Sequence, residues 1–161
     1  MRHQKRIGVQ DVMFELKVTG YDEVARLVAI GWPTRIISVT TRDMPDYGPH
    51  HLRICVDDII RPSPGLILPL QSHLVQVLDF TEGLGWDDHI LVHCVSGINR
   101  STAMAIGILI QHGVVYTEAC RQVATQRPHL APNRLIISYV DQHFGLGGKL
   151  SRLVVHPIGC R

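Results

Sequence analysis

The stretch that decides the fold of this chain runs from Ile90 to Thr102 and reads ILVHCVSGINRST. Apolar residues lead into Cys94, five residues separate Cys94 from Arg100, and a helix-like run follows from Ser101 to His112. This order predicts a strand, a tight loop and a helix. The backbone N–H groups of such a loop and the helix N-terminus converge on one point, which makes a site for a tetrahedral oxyanion.

Cys94 is expected at the floor of that cradle. There the helix dipole and the Arg100 guanidinium favour the thiolate and lower the pKa of the thiol. A thiolate beneath a bound phosphate is a nucleophile aimed at phosphorus. Arg100 is expected to hold two phosphate oxygens in bidentate fashion and to stabilise the charge of the transition state.

The spacing alone is a weak signal, because Cys55 and Arg61 repeat it. That second copy has no glycine between its cysteine and its arginine, and it puts two carboxylates where an anion would sit. Only the copy at Cys94 combines a preceding apolar strand, Gly97 for the turn and a hydroxyl pair after the arginine. We therefore expect Cys94 to be the reactive cysteine and Cys55 to be inert.

The pattern His93-Cys94-x-x-Gly97-x-x-Arg100-Ser101 resembles the signature of the cysteine-based protein tyrosine phosphatases, and of their small dual-specificity branch in particular. Residues 127–133, which read RPHLAPN, are similar to the Arg-Pro-x-x-x-Pro-Asn segment of that branch. Residues 54–58, which read ICVDD, resemble the strand that ends in the acid-bearing loop of the family. Together the matches span roughly residues 50–144.

The resemblance implies a metal-independent hydrolase, without a cofactor, that cleaves phosphate monoesters on proteins through a cysteinyl-phosphate intermediate. Its substrates would be phosphotyrosine and also phosphoserine or phosphothreonine. Ser101 is then expected to offer its hydroxyl to the cysteine sulfur as the intermediate breaks down, and His93 to buttress the loop. The expected phosphate-binding residues are Val95, Ser96, Gly97, Ile98, Asn99 and Arg100.

A second chemical role is that of the general acid, because an alkoxide or phenoxide leaves poorly unless it is protonated. Asp57 and Asp58 are the favoured candidates, since their strand is expected to end at the same edge of the sheet as the strand before Cys94. The Val-x-Asp pattern of the family indicates Asp58. The other aspartate is expected to point to solvent or to fix the loop.

Strand-like and helix-like segments alternate along the chain and predict an α/β fold, with a mainly parallel central sheet and helices on both faces. The predicted strands and helices are Val12–Val18, Tyr21–Ile30, Arg35–Val39, Leu52–Val56, Leu70–Leu84, His89–His93, Ser101–Gln111, Thr117–Gln126 with Thr117 as its cap, and a last helix that Pro132-Asn133 opens and Gly145 ends. Residues 1–146 are predicted to be one catalytic domain and residues 147–161 a tail. That tail could pack on the domain or cap a neighbouring subunit, and the oligomeric state stays open.

Composition limits the functional classes. The 161 residues carry a net charge of +2, which is too small to imply nucleic acid. No metal-ligand spacing, signal peptide or apolar run of membrane-spanning length is evident. The thiolate assigned to Cys94 indicates a reducing compartment, so we expect a cytoplasmic protein.

Alternatives remain at this stage. An RNA 5′-triphosphatase on the same fold, a rhodanese-like sulfur transferase and a catalytically silent phosphoprotein-binding module share parts of the pattern. Phosphoinositide specificity is disfavoured, because the loop positions around Gly97 supply no cation before Arg100. If Cys94 is oxidised, Cys55 or Cys160 could resolve it as a disulfide.

Overall fold

The structure is a computed structural model that describes residues 12–155 of the chain. Its single sheet contains β1 (Glu15–Thr19), β2 (Arg35–Val39), β3 (His51–Ile54) and β4 (His89–His93). The helices within the described residues are α1 (Tyr21–Ala29), α2 (Gln71–Phe80), α3 (Arg100–Gln111), α4 (Tyr116–Gln126), α5 (Arg134–His143) and α6 (Lys149–Val155). The strands lie in the order β1-β4-β2-β3 and every neighbouring pair is parallel, which confirms the predicted fold class.

The two central strands are apolar on both faces, as a sheet covered on both sides requires. Ile36 and Leu91 face α1, where they pack with Val24 and Leu27. The alternate residues of the same strands, such as Val92, belong to the larger core on the opposite face. That core includes buried residues of α2, α3, α4, α5 and α6.

Helix α3 lies inside this core, as its almost wholly apolar sequence predicts. Every residue from Arg100 to Leu109 is buried. Burial of a side chain such as Ile106 or Ile108 contributes about 1.5–3 kcal/mol. At Gly107 an added Cβ would lie 3.2 Å from a Val140 methyl and 3.3 Å from a Leu74 methyl, so glycine permits close packing of three helices. The N-terminus of α3 is therefore held in a fixed position.

Several predicted boundaries were wrong by a few residues. Strand β1 begins at Glu15 rather than at Val12, and helix α2 ends at Phe80 rather than at Leu84. Strand β3 ends at Ile54 rather than at Val56, because the backbone N–H of Asp57 donates to the Ile67 carbonyl of its own loop at 2.8 Å. Helix α4 begins at Tyr116, so Thr117 lies within the helix and is not its cap. Val115 occupies the N-cap position with an extended backbone.

Helix α6 was not predicted. It begins two residues into the predicted tail, and its Leu150 is fully buried in the larger core. The side chain of Asp141 in α5 accepts hydrogen bonds from the N–H groups of Gly148 and Ser151 at 2.6 and 2.9 Å. Of the two fates that the sequence left open for the tail, residues 149–155 therefore pack on the domain.

The outer edge of β1 is covered by a side chain rather than by another strand. The Gln126 amide donates to the Leu16 carbonyl at 2.7 Å and accepts from the Val18 N–H at 2.9 Å. This pair of contacts has the donor and acceptor pattern of a neighbouring peptide group. Gln126 thus satisfies two backbone groups that an edge strand would otherwise present to solvent.

Candidate active site

The loop between β4 and α3 packs closely against the junction of β1 and α1. Gly97 has φ of +69°, a conformation that favours glycine. An added Cβ there would lie 2.6 Å from the Thr19 carbonyl carbon and 2.7 Å from the Gly20 nitrogen, a distance that no real side chain occupies. Both the turn and the close approach therefore require the glycine that the sequence singled out.

All the carbonyls from residue 95 to residue 99 accept hydrogen bonds from groups outside the loop. The donors, in chain order of the carbonyls, are the Tyr21 N–H (2.9 Å), Arg127 Nη2 (2.9 Å), Arg127 Nε (3.0 Å), the Ala131 N–H (3.0 Å) and the Asn133 N–H (2.9 Å). Since these carbonyls point outward, the loop N–H groups are available to the inner side. The Gly97 N–H lies there and donates to Cys94 Sγ at 3.2 Å. A concave row of backbone N–H groups is an anion-binding arrangement.

Cys94 is fully buried at the floor of this loop. Burial by itself raises the pKa of the Cys94 thiol, but hydrogen bonds from Ser101 and from the Gly97 N–H, together with the Arg100 charge, lower it further than burial raises it. The Ser101 hydroxyl lies 3.1 Å from Cys94 Sγ. The net result is a pKa below the ordinary value of a thiol, which is the condition for a reactive cysteine.

Arg100 is almost fully buried and is oriented by one contact. Its Nη1 donates to the Val56 carbonyl at 2.9 Å. Its Nε is buried and has no hydrogen-bond partner among residues 12–155. A buried guanidinium N–H without a partner is costly, whereas an oxyanion accepts readily from it. The side chain therefore fits an anion at this point.

The contact between Arg100 and Val56 also connects the loop that holds Cys94, the candidate nucleophile, to the segment that holds the two candidate acids. Strand β2 lies between β3 and β4, so the two loops are not direct neighbours in the sheet. They meet because the chain continues beyond β3 to Val56 before it turns away. The expected proximity of the two segments thus depends on an arginine side chain as well as on the strand order.

The two candidate aspartates have different surroundings. Asp57 accepts hydrogen bonds from the Ile67 N–H at 2.7 Å and from the Thr41 hydroxyl at 3.0 Å, so both of its carboxylate oxygens hold loops together. Asp58 is exposed and accepts from Asn133 Nδ2 at 2.9 Å. Asp57 therefore fixes the loop and Asp58 is exposed to solvent. Each aspartate thus shows one of the two fates expected of the residue that is not the acid, and the assignment of the acid to Asp58 stays a prediction.

The sequence assigned Arg127 no role and Asn133 only the start of the last helix, although both stand in the segment that carries the resemblance. Arg127 braces the carbonyls of Ser96 and Gly97 and pairs with Glu23 at 3.3 Å. Asn133 caps α5, as expected, and the same side chain also donates to Asp58 and to the Ile59 carbonyl. No local pattern reveals these partners, because they lie 30 or more residues away along the chain.

His93 is fully buried and its Nδ1 lies 3.0 Å from the Cys94 carbonyl oxygen, which is a contact expected of a buttress. Asn99 turns its side chain away from the loop interior and donates to the Ala131 carbonyl at 2.8 Å. Cys55 is exposed, and Cys160 lies outside the described residues. The resolving role considered for these two cysteines stays a prediction.

A groove of about 740 Å³ lies beside the loop. Its lining combines polar and charged side chains with apolar ones: Asp58, Arg61, Asn99, Asn133 and Arg134 with Ile59, Ile60, Val154 and Val155 among others. No helix within residues 12–155 is long and apolar enough to cross a membrane. The described residues also contain no group of three or more His, Cys, Asp or Glu side chains placed to hold a metal ion.

Comparison with known sequences gives short but consistent matches. No family model matches the chain. Human dual specificity protein phosphatase 14 is 40% identical over 60 residues, which are 34% of this chain and 30% of that protein. The bovine protein of the same name matches equally well. The chain thus spans less than a third of the length of the curated relatives it matches.

Comparison with solved structures covers far more of the chain. Human DUSP28 superposes with a TM-score of 0.63 at 23% identity, covering 83% of this chain and 94% of that one. DUSP15 gives a TM-score of 0.62 at 22% identity, covering 91% and 94%. The fold is therefore that of the cysteine-based protein tyrosine phosphatases. The predicted resemblance to the small dual-specificity branch is confirmed.

Proposed function

We propose that this chain is a phosphatase that hydrolyses phosphate monoesters on proteins, phosphotyrosine foremost, through a cysteinyl-phosphate intermediate. The observation that supports the proposal most strongly is that the carbonyls of residues 95–99 all accept hydrogen bonds from groups outside the loop. Their arrangement leaves backbone N–H groups, the buried Cys94 sulfur and Arg100 Nε, which no group of residues 12–155 pairs with, on the same side of the loop. A tetrahedral dianion suits that combination.

In the first step the Cys94 thiolate attacks phosphorus, the S–P bond forms, and the P–O bond to the leaving group breaks. Arg100 and the loop N–H groups stabilise the charge on the equatorial phosphate oxygens. The leaving oxygen takes a proton from Asp58. Asp58 is chosen because both carboxylate oxygens of Asp57 are already engaged in holding loops.

In the second step water attacks the phosphocysteine and gives a proton to the Asp58 carboxylate. The S–P bond breaks and the thiolate is regenerated, with inorganic phosphate as the product. The Ser101 hydroxyl, 3.1 Å from Sγ, donates to the departing sulfur and stabilises its negative charge. Cys94 must stay reduced for each cycle, which supports a cytoplasmic location.

The surroundings of the loop favour a phosphorylated protein over the alternatives. Val95 and Ser96 are exposed, so the cysteine lies beneath an open surface that a phosphorylated side chain on a protein can approach. The solved neighbour PTPMT1 was captured with PI(5)P, at 18% identity and a TM-score of 0.58. In this chain, residues 95–99 contain no lysine or arginine to pair with further phosphates of an inositol ring.

The test compares turnover of a phosphotyrosine peptide, a phosphoserine peptide, an RNA 5′-triphosphate and a phosphoinositide under one set of conditions, with EDTA present. We expect turnover of the phosphotyrosine peptide to be highest. Acid quenching during turnover of a ³²P-labelled peptide should trap label on Cys94. Faster turnover of the RNA or lipid substrate by a large factor would overturn the substrate class, and label that never reaches Cys94 would overturn the mechanism.

A further inference from the structure

A continuous chain of hydrogen bonds crosses the sheet from a surface loop to the nucleophile. The Tyr47 N–H meets His51 Nδ1 at 3.2 Å, and His51 Nε2 lies 2.7 Å from Ser38 Oγ. Ser38 Oγ in turn lies 2.6 Å from His93 Nε2, and His93 Nδ1 lies 3.0 Å from the Cys94 carbonyl oxygen. These groups come from β3, β2 and β4, three adjacent strands of the sheet. We call this set the relay.

Both ends of the relay fix the position of every proton within it. The Tyr47 N–H can only donate, so His51 accepts at Nδ1 and carries its proton on Nε2. The Cys94 carbonyl can only accept, so His93 carries its proton on Nδ1 and accepts at Nε2. Between them the Ser38 hydroxyl accepts from His51 and donates to His93. With both imidazoles neutral, each donor in the relay has one acceptor.

We propose that His51 is a positioning residue for the nucleophile loop. Its Nε2–H fixes, through Ser38, the proton arrangement of His93 and so the backbone carbonyl at Cys94, and the Tyr47 N–H holds the His51 ring in place for this contact. Protonation of His51 puts a proton on Nδ1, which then meets the Tyr47 N–H donor to donor. The outer end of the relay separates at that point, and the His51 ring loses the contact that holds it in position for Ser38.

The charges around the relay keep it neutral at ordinary pH. Burial lowers the pKa of His51, the neighbouring Arg53 lowers it further, and Asp46 opposes both. The Tyr47 ring packs against the His51 ring at 5.4 Å between centroids. His51 therefore holds its proton less tightly than an ordinary histidine does, and the relay opens at a lower pH than the ordinary pKa of histidine implies.

His93 is also held in its neutral form. Burial lowers the pKa of His93 most, the contact with Cys94 opposes this, and the charges of His51 and Arg100 lower it again. The Tyr21 ring faces it edge-on at 6.3 Å between centroids. Because His93 is neutral, the positive charge that favours the Cys94 thiolate comes from Arg100 and not from an imidazolium.

Two substitutions separate the charge of His51 from its hydrogen bonds. In His51→Gln the amide supplies a donor and an acceptor and does not titrate. In His51→Leu both hydrogen bonds are lost. The side chain at position 51 contacts neither Cys94 nor Arg100. The inference rests on the proposed function for its kinetic readout, because that function supplies the assay.

We expect kcat/KM for an aryl phosphate at pH 7.5 to fall roughly threefold to tenfold in His51→Leu, which is the range of one lost hydrogen bond, and to stay within about twofold in His51→Gln. As the pH falls below the ordinary pKa of histidine and His51 becomes protonated, the ratio of kcat/KM for His51→Gln to that for wild type should rise by roughly threefold to tenfold. A ratio that stays flat with pH would overturn the proposal.

A second measurement needs no turnover. Long-range ¹H–¹⁵N spectra of wild-type protein near pH 7.5 should show His51 protonated on Nε2 and His93 protonated on Nδ1. A His93 proton on Nε2 would refute the relay even if His51→Leu fails to fold. If the spectra show the expected tautomers but no substrate is turned over, the relay stands and the proposed function fails.

Discussion

The chain contains the same spacing of cysteine and arginine twice, with opposite outcomes. Cys94 is fully buried and Arg100 is 9% exposed, and both belong to one loop that ends in the N-terminus of α3. Cys55 and Arg61 are both exposed, and no helix begins until Gln71. The comparison shows that spacing alone does not make a site. The turn at Gly97 and the helix that follows it shape the residues between Cys94 and Arg100 into an anion-binding loop.

The second copy nevertheless supports the first. The carbonyl of Val56 orients Arg100, and Asp57 and Asp58 lie between Cys55 and Arg61. The second segment thus supplies the hydrogen-bond partner of Arg100. In our proposal Arg100 binds the phosphate, and the same segment also supplies the proton donor. The variants below test this division of roles in pairs.

The largest difference is expected between the two cysteines. Cys94→Ser should lower turnover of an aryl phosphate by more than about 10⁴-fold, because an alcohol is a far weaker nucleophile than a thiolate. Vanadate binding should survive, since the loop N–H groups remain. Cys55→Ser should stay within about twofold of wild type, as an exposed side chain away from special features does. Steady-state assays decide this, and near-normal activity in Cys94→Ser would refute the covalent mechanism.

The next largest difference is expected between the arginines. Arg100→Lys should lose about 10²–10³-fold in kcat, because a point charge does not reproduce the planar pair of donors. Arg61→Lys, in the exposed copy, should change kcat by less than about twofold. Equal losses in the two variants would show that Arg61 also contacts the substrate.

Substitutions of the two aspartates should differ in the size of the activity loss and also in how that loss depends on the leaving group. Asp58→Asn should cost about 10²-fold with a poor leaving group such as phosphotyrosine, little with an activated aryl phosphate, and should flatten the basic limb of the pH–rate profile. Asp57→Asn should cost less than about tenfold with either substrate, since it loosens only the contacts to Thr41 and Ile67. If the two variants exchange these behaviours, the acid is Asp57.

The smallest difference is expected in stability, between two glycines with positive φ. Gly65 has φ of +76° and open space where a Cβ would go, so Gly65→Ala should cost about 1 kcal/mol. Gly97→Ala adds a collision with the backbone of Thr19 and should cost about 2 kcal/mol. Urea unfolding measures both. Equal losses would mean that the junction of β1 and α1 moves aside without cost.

The parts of the site that depend on residues adjacent in the sequence could be predicted. The strand, the turn at Gly97 and the start of α3 all follow from residues 90–102, and the cap at Asn133 follows from a single dipeptide. The braces around the loop were not predictable in this way. Arg127 reaches back 30 residues to the Gly97 carbonyl, and that contact exists only once α4 has packed beside the sheet.

The same reason explains the other omissions. Ser38 and His51 sit on strands where nothing in their neighbours marks them, and their roles arise from the strand order β4-β2-β3. Helix α6 depends on Asp141, a residue of the preceding helix, to satisfy its first N–H groups. Contacts of this kind depend on which strands and helices become neighbours in the fold, and local sequence patterns do not contain that information.

The Gln126 side chain that covers the edge of β1 has a consequence for association between molecules. An uncovered strand edge is a template on which a strand of another molecule can pair and begin aggregation. Gln126 occupies the hydrogen-bonding groups of Leu16 and Val18 that such a strand would need. It is followed directly by Arg127, which braces the nucleophile loop. Local unfolding at the end of α4 would therefore release the loop around Cys94 and expose the edge of β1 in the same event. If the loop is catalytic, as we propose, inactivation and self-association of this protein should accompany each other.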